Sequence, residues 1–299
     1  MNKNLLTDAQ ALIPLVKRNR RDFLRVATSV GISSGFALAA QPVLSQAIKT
    51  DFEGIDSQEI MFTSAQAQIP AYMSKPKDTA NKLPVIIIAS EIFGVHEYIA
   101  DVTRRLAKQG YMAIAPEFFT RAGDPTELGT VAEIMEKIVA ITPDKQVMQD
   151  IEAAIDWAGK NGGDIARVGI TGFCWGGRIT WLACENIKAI RAGVAWYGRL
   201  LGDKNSNTPE HPIDLVSRLS APVLGLYGAQ DTGIPVSSIN EMKKALASVK
   251  ANNAAKESKF EIYPDAPHAF HADYRESYRA GPAQDGWNQL LKWFSTHGV

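Results

Sequence analysis

The residues Gly172-Phe173-Cys174-Trp175-Gly176-Gly177 follow the apolar run Arg167-Val168-Gly169-Ile170-Thr171 and open a helix-like stretch from Arg178 to Glu185. Glycines on both sides of a thiol, at a junction from strand to helix, demand a sharp turn whose tip residue stands clear of the sheet. That is the form of a nucleophile elbow, with cysteine in the place usually held by serine. The following helix contributes unpaired N–H groups and the positive end of its dipole, which favour a thiolate and can also receive a developing oxyanion. A buried small hydrophobe is the commoner role of a lone cysteine, but packing alone does not call for glycines at 172, 176 and 177.

The rest of the chain supports that turn. Glu59 to Thr63 and Gln68 to Met73 read as two short strands joined by a turn, and Leu83 to Ala89 is a continuous apolar run suited to a strand buried on both faces. Further strands are expected at Tyr111 to Ala115, Arg167 to Thr171, Ile190 to Trp196, Val223 to Tyr227 and Lys259 to Tyr263. Between them, helices are expected at Glu97 to Gln109, as one long stretch within Thr130 to Lys160, near Ser237 to Lys250 and at Ala283 to Thr296. Alternating strand and helix defines an α/β class, a mostly parallel central sheet with helices on both faces, and the elbow makes it an α/β-hydrolase fold.

Charge divides the chain in two. Overall, 32 basic residues balance 32 acidic ones, which gives no sign of a nucleic-acid surface. Residues 1 to 47, however, hold Lys3, Lys17, Arg18, Arg20, Arg21 and Arg25 against only Asp8 and Asp22, followed by a Gly/Ser/Ala-rich run from Val26 to Ala40. This is the layout of an export signal. Asn19-Arg20-Arg21-Asp22-Phe23-Leu24-Arg25 resembles the twin-arginine signature, so the twin-arginine export machinery is an expected partner and the periplasm the expected location. Ser45-Gln46-Ala47 offers small residues for cleavage, leaving Ile48 as the mature N-terminus and 48 to 299 as a single domain with a net charge of −4. The apolar run is too short and too rich in Gly and Ser for a stable membrane span. Cys174 and Cys184 are the two cysteines. Ten residues apart on one helix, they stand about 15 Å apart, too far for a disulfide, so Cys184 reads as core and Cys174 as a free thiol.

A cysteine nucleophile needs a base, and the base an orienting acid. In this fold class the chain order is nucleophile, acid, histidine, each on a loop after a strand. Asp231 follows the run Val223 to Gly228, and His268 follows Phe260 to Tyr263. Asp231 has a competing role as a turn or helix-cap carboxylate, and His271 is a rival base three residues beyond His268. His211 and His297 lack strand context and are expected in solvent. The loop Ser90-Glu91-Ile92-Phe93-Gly94 follows the first buried strand, where such folds place a second oxyanion donor, so the backbone N–H groups of Ile92 and Trp175 form the expected pair. No His/Asp/Glu set shows metal-ligand spacing, and neither metal nor organic cofactor is expected.

With Glu91-Ile92-Phe93-Gly94, Pro116-Glu117-Phe118-Phe119, the Cys174 elbow, Gly228-Ala229-Gln230-Asp231 and the His268 loop together, the chain from about Glu59 onward resembles the dienelactone hydrolase (carboxymethylenebutenolidase) family. The resemblance implies a triad of Cys174, Asp231 and His268 acting on a small ester or lactone through an acyl-thioester. It also implies that Glu91 hydrogen-bonds the resting thiol and that Arg121 holds a substrate carboxylate. The family's second anchoring arginine has Ala272 in its place, with Arg275 nearby in the same loop. Phe93, Phe119 and Tyr197 complete the expected substrate pocket. Two rival classes remain open at this point: a redox-responsive thiol protein, which calls for a resolving thiol, and a binding protein that keeps the pocket without the triad.

Overall fold

A computed structural model describes residues 47–299. The twin-arginine motif and all but the last residue of the expected leader lie outside the described residues. Eight strands form one sheet in the order β1-β2-β4-β3-β5-β6-β7-β8. β1 (Ile55–Ser64) and β2 (Ala67–Pro76) pair antiparallel through a tight turn at Ala65 and Gln66, both at positive φ. β2 is also antiparallel to β4 (Met112–Pro116). The remaining neighbours, β3 (Leu83–Ala89), β5 (Gly163–Phe173), β6 (Ile190–Trp196), β7 (Val223–Gly228) and β8 (Lys259–Tyr263), run parallel. The α/β-hydrolase architecture is the one expected, with β1, β2 and β5 several residues longer than their apolar runs.

The helices are α1 (Glu97–Ala107), the single turn α2 (Val131–Ile134), α3 (Asp144–Lys160) and α4 (Trp175–Asn186), followed by the single turn α5 (Pro212–Leu215). After them come α6 (Val236–Ser248), the short α7 (Asn253–Glu257) and α8 (Ala280–Thr296). The long helical stretch expected within 130–160 is α3, and the residues before it form a separate short piece. A π-turn over Met135–Val139 ends the first piece, and Pro143, extended at ψ 139°, caps the second. Proline pushes the residue before it out of helical conformation, so the register cannot run through.

Glycines let the helices lie directly on the sheet. A Cβ at Gly169 would meet Phe294 of α8, whereas one at Gly172 would meet Thr180 of α4, so these two helices cover opposite faces. Behind α1, Thr50 donates its N–H to Asp101 at 2.7 Å, and Arg105 bridges Asp101 to Asp273 in the loop after β8. This buried ionic strap ties the first described residues to the loop that carries His268.

The elbow depends on contacts with no room for a side chain. A Cβ on Gly176 would lie 2.1 Å from the Ala89 carbonyl oxygen at the end of β3, and one on Gly172 would lie 2.1 Å from the Gly176 carbonyl. Backbone cannot yield as a flexible side chain does, so Gly176→Ala is expected to destabilise the fold by at least about 3 kcal/mol. A chemical-denaturation curve matching that of the wild-type chain would contradict this.

Candidate active site

Cys174 stands between β5 and α4 with φ 57° and ψ −113°, a conformation that side chains rarely adopt. Its N–H donates to the Trp196 carbonyl at 3.0 Å, pinning the strained residue to β6, and its side chain is half-buried at the elbow's tip. Trp175 is the first residue of α4, so its N–H has no carbonyl available within the helix. Across the end of β3, the Gly94 N–H closes a turn onto the Glu91 carbonyl at 3.2 Å, with Ile92 at the turn's outer corner.

Asp231 makes the contacts of both roles considered for it. One carboxylate oxygen accepts the N–H groups of Gly233 and Ile234 at 2.8 and 3.0 Å, and the other accepts His268 Nδ1 at 2.6 Å. His268 Nε2 is buried and makes no hydrogen bond of good geometry. The Cys174 sulfur is nevertheless close enough to act on the ring electrostatically. His271 is not at Asp231: it shares a 2.6 Å hydrogen bond with the Tyr98 hydroxyl and stacks on Phe173. Burial, reinforced by Arg105, holds it well below the usual histidine range, so it stays neutral.

Three expectations need correction. Glu91 does not bond the thiol; its Oε2 accepts the Tyr274 hydroxyl at 2.7 Å and His96 Nε2 at 3.3 Å, and Arg275 stands 3.6 Å from Oε1. Arg121 is already paired within the fold. Its fork closes on the fully buried Asp150 at 2.8 and 3.0 Å, and it also donates to the Ser64 carbonyl at 2.8 Å. The carboxylate it holds is therefore the chain's own. His211 is buried rather than solvated, with Nδ1 accepting from Arg178 and Nε2 beside the Asp203 carbonyl.

Arg275 is the cation that the structure brings to the site instead. It lies over the rings of Phe93 and Tyr274, each centroid 5.4 Å away, and donates to the Tyr274 hydroxyl at 3.2 Å. Only its place in the His268 loop hinted at this in the sequence, and His96 and Tyr274 gave no signal at all. Phe93 thus belongs to the site through Arg275. Phe119 is fully buried beneath Trp175, 4.8 Å between centroids, and supports the elbow from below. Tyr197 stands edge-on to His268 at 5.1 Å. Both cysteines are free thiols, and Cys184 is sealed in the core on the far part of α4.

A mostly parallel sheet, a strained turn carrying Cys174 between strand and helix, and a histidine paired to a carboxylate are the features of an α/β hydrolase. A profile of the dienelactone hydrolase family matches residues 69–298. A relative from Methylorubrum extorquens, named a candidate carboxymethylenebutenolidase, is 50% identical over 277 residues, 92% of this chain and 93% of its own. A similarly named Escherichia coli protein is 47% identical over 89% of this chain and 96% of its own. The crystal structure of a candidate dienelactone hydrolase from Klebsiella pneumoniae superposes with a TM-score of 0.78 at 46% identity, covering 81% of this chain and 98% of that one. The chain belongs to the dienelactone hydrolase family and is an ester or lactone hydrolase. Among the described residues, no helix is long and apolar enough to cross a membrane.

The buried charges of the site are mutually dependent. Burial works against the Glu91 carboxylate, but Arg275, His96 and Tyr274 together outweigh it and bring its pKa down from 4.5 to about 2. A carboxylate with a depressed folded-state pKa stabilises the fold fully above its unfolded value and loses that contribution as the pH falls through the folded one. For Glu91 that window runs from pH 4.5 to about 2, and the contribution is about 3 kcal/mol. Glu91→Gln is expected to flatten the acid limb of stability in this window. Urea melts of both proteins across that range check it, and parallel acid limbs would refute it.

Proposed function

We propose that Cys174 is the nucleophile of this hydrolase, acting through an acyl-thioester on small esters or lactones that carry a carboxylate. The observation carrying this reading is the strained thiol at the elbow with His268, held by Asp231 at 2.6 Å, beside it. Burial opposes charge on His268, yet Asp231 and Cys174 overcome it and raise its pKa to about 10, so the imidazole is basic enough to take up a proton.

The sulfur attacks the ester carbonyl, and the oxyanion forms against the N–H groups of Trp175 and Ile92. As the tetrahedral intermediate collapses, the C–O bond breaks and His268 hands its proton to the leaving oxygen. A water then attacks the thioester, giving one proton to His268. The acid leaves, and the proton returns to the sulfur.

Arg275 supports the anionic substrate class. It is a buried guanidinium beside Cys174, and its ion pair with Glu91, at 3.6 Å, is longer than a hydrogen bond. A substrate carboxylate competing for that cation gains a charge-assisted, two-pronged contact. Carboxymethylenebutenolide, the compound in the relatives' names, has this chemistry: a lactone ring bearing a carboxylate.

Steady-state kinetics on paired anionic and neutral esters test both parts. Cys174→Ala is expected to abolish turnover of both with the fold intact, a loss on the order of 10⁴-fold or more. Arg275→Ala is expected to raise KM for the anionic member about 10- to 100-fold, with a smaller effect on the neutral one. Full activity in the first variant excludes a thiol nucleophile, and equal effects on both esters in the second exclude Arg275 as the anchor.

The export layout of residues 1 to 47 supports a periplasmic location for this reaction. Replacing Arg20 and Arg21 together by lysine is expected to leave the protein in the cytoplasm. Cell fractionation showing unchanged export would exclude the twin-arginine route.

A further inference from the structure

Besides His268 Nε2 and Glu91 Oε1, a third buried polar atom of the site makes no hydrogen bond within the fold. Tyr197, directly after β6, is fully buried, and its hydroxyl makes no hydrogen bond. Leaving a hydroxyl in this state costs about 1–3 kcal/mol, and each such group in a folded protein calls for an explanation. The same residue has φ 39°, a left-handed backbone that a bulky side chain rarely adopts. It is held there by donating its N–H to the Leu226 carbonyl at 2.9 Å, while the carbonyl of Trp196 just before it accepts the Cys174 N–H. Strain and an unpaired donor thus coincide in one residue tied to the backbone of the nucleophile.

The surroundings show where the hydroxyl is used. Tyr197 stands edge-on to the His268 ring and to that of Phe270, at 5.1 and 5.4 Å, which restrict its side chain. The groups that act electrostatically on its oxygen are Glu91, Arg275, Tyr274 and Cys174, all members of the site. The carbonyl oxygen of a bound ester has two backbone donors waiting, whereas the leaving oxygen has only His268.

Resting on the acyl-transfer reading above, we propose that Tyr197 is a further catalytic residue, whose O–H donates a hydrogen bond to the leaving oxygen as the C–O bond of the substrate breaks. The electron pair of that bond passes to the leaving oxygen, His268 supplies the proton, and Tyr197 keeps its own. Burial above all, with Glu91 next, pushes the phenol well above its usual range, so it remains a donor and does not become an acid. A donor in this place matters more as the departing oxygen becomes more basic.

The test is Tyr197→Phe, which removes only the hydroxyl, on a series of esters of one carboxylic acid with leaving groups from nitrophenol to simple alkanols. The constant kcat/KM reports acylation, the step in question. The expected loss is about 3-fold for the nitrophenyl ester and rises to about 100-fold for the alkyl esters. The same loss across the series, or none, overturns the proposal, since a structural or oxyanion-side role does not depend on the alcohol. The melting temperature of the variant is expected to equal or exceed that of the wild type, because an unpaired hydroxyl is removed. A clear fall would show that the hydroxyl was bonded within the fold, and the proposal would fail. Cys174→Ala is run on the same esters. If it retains activity, the acyl-transfer reading falls and this proposal with it, whereas an inactive Cys174→Ala beside a flat Tyr197→Phe series removes only Tyr197.

Discussion

Direct backbone contact between the first turn of α4 and the end of β3 is the constraint on which the site depends. With no side chain at Gly176, the Ala89 carbonyl lies where a Cβ would otherwise stand, 2.1 Å from it. The helix N-terminus is thereby pressed against the loop of Glu91 and Ile92, and Cys174 shares one rigid frame with the N–H groups proposed as oxyanion donors. The cost is the left-handed backbone of Cys174, and the parallel strands on both sides of β5 are what sustain it. Precise placement of a reacting atom rests here on an absence of side chains.

Around this frame the charges form a circuit in which no member is stable alone. Glu91 is fully buried and stays ionised only because Arg275, His96 and Tyr274 face it. Arg275 in turn is buried against Tyr274 and Glu91. The loop after β8 supplies His268, Tyr274 and Arg275, and Asp273 of that loop is held from behind by Arg105 on α1. A single loop therefore delivers His268 and the site's cation, and a buried ion pair on the far side of the helix steadies both.

Much of this was legible in the sequence, for identifiable reasons. β3 carries an unbroken apolar run, β6 is apolar and buried from Ala192 onward, and both end where those runs end, because their faces are covered. The pairing of Asp231 with His268 was anticipated from chain order and strand exits, which the fold imposes. β1 was read too short, since its outward face is polar and exposed and leaves no apolar alternation at its ends. Arg121 shows the limit of matching positions: its partner Asp150 lies on α3, distant in sequence, and nothing local to Arg121 announces that carboxylate. His96, Tyr274 and Arg275 were missed or left undecided for the converse reason, because their roles arise only when the loops after β3 and β8 meet.

Cys184 has a different consequence. Its thiol fills the space over Gly193, where even a methyl group would lie 2.6 Å from the sulfur, and burial pushes its pKa well above the ordinary range. With only two cysteines in the chain, a thiol reagent meets one reactive sulfur in the folded protein and a second only after unfolding. Reagent consumed by native protein therefore counts accessible Cys174 thiols, and the further equivalent released by denaturant counts folded chains, so a single titration separates loss of that thiol from unfolding.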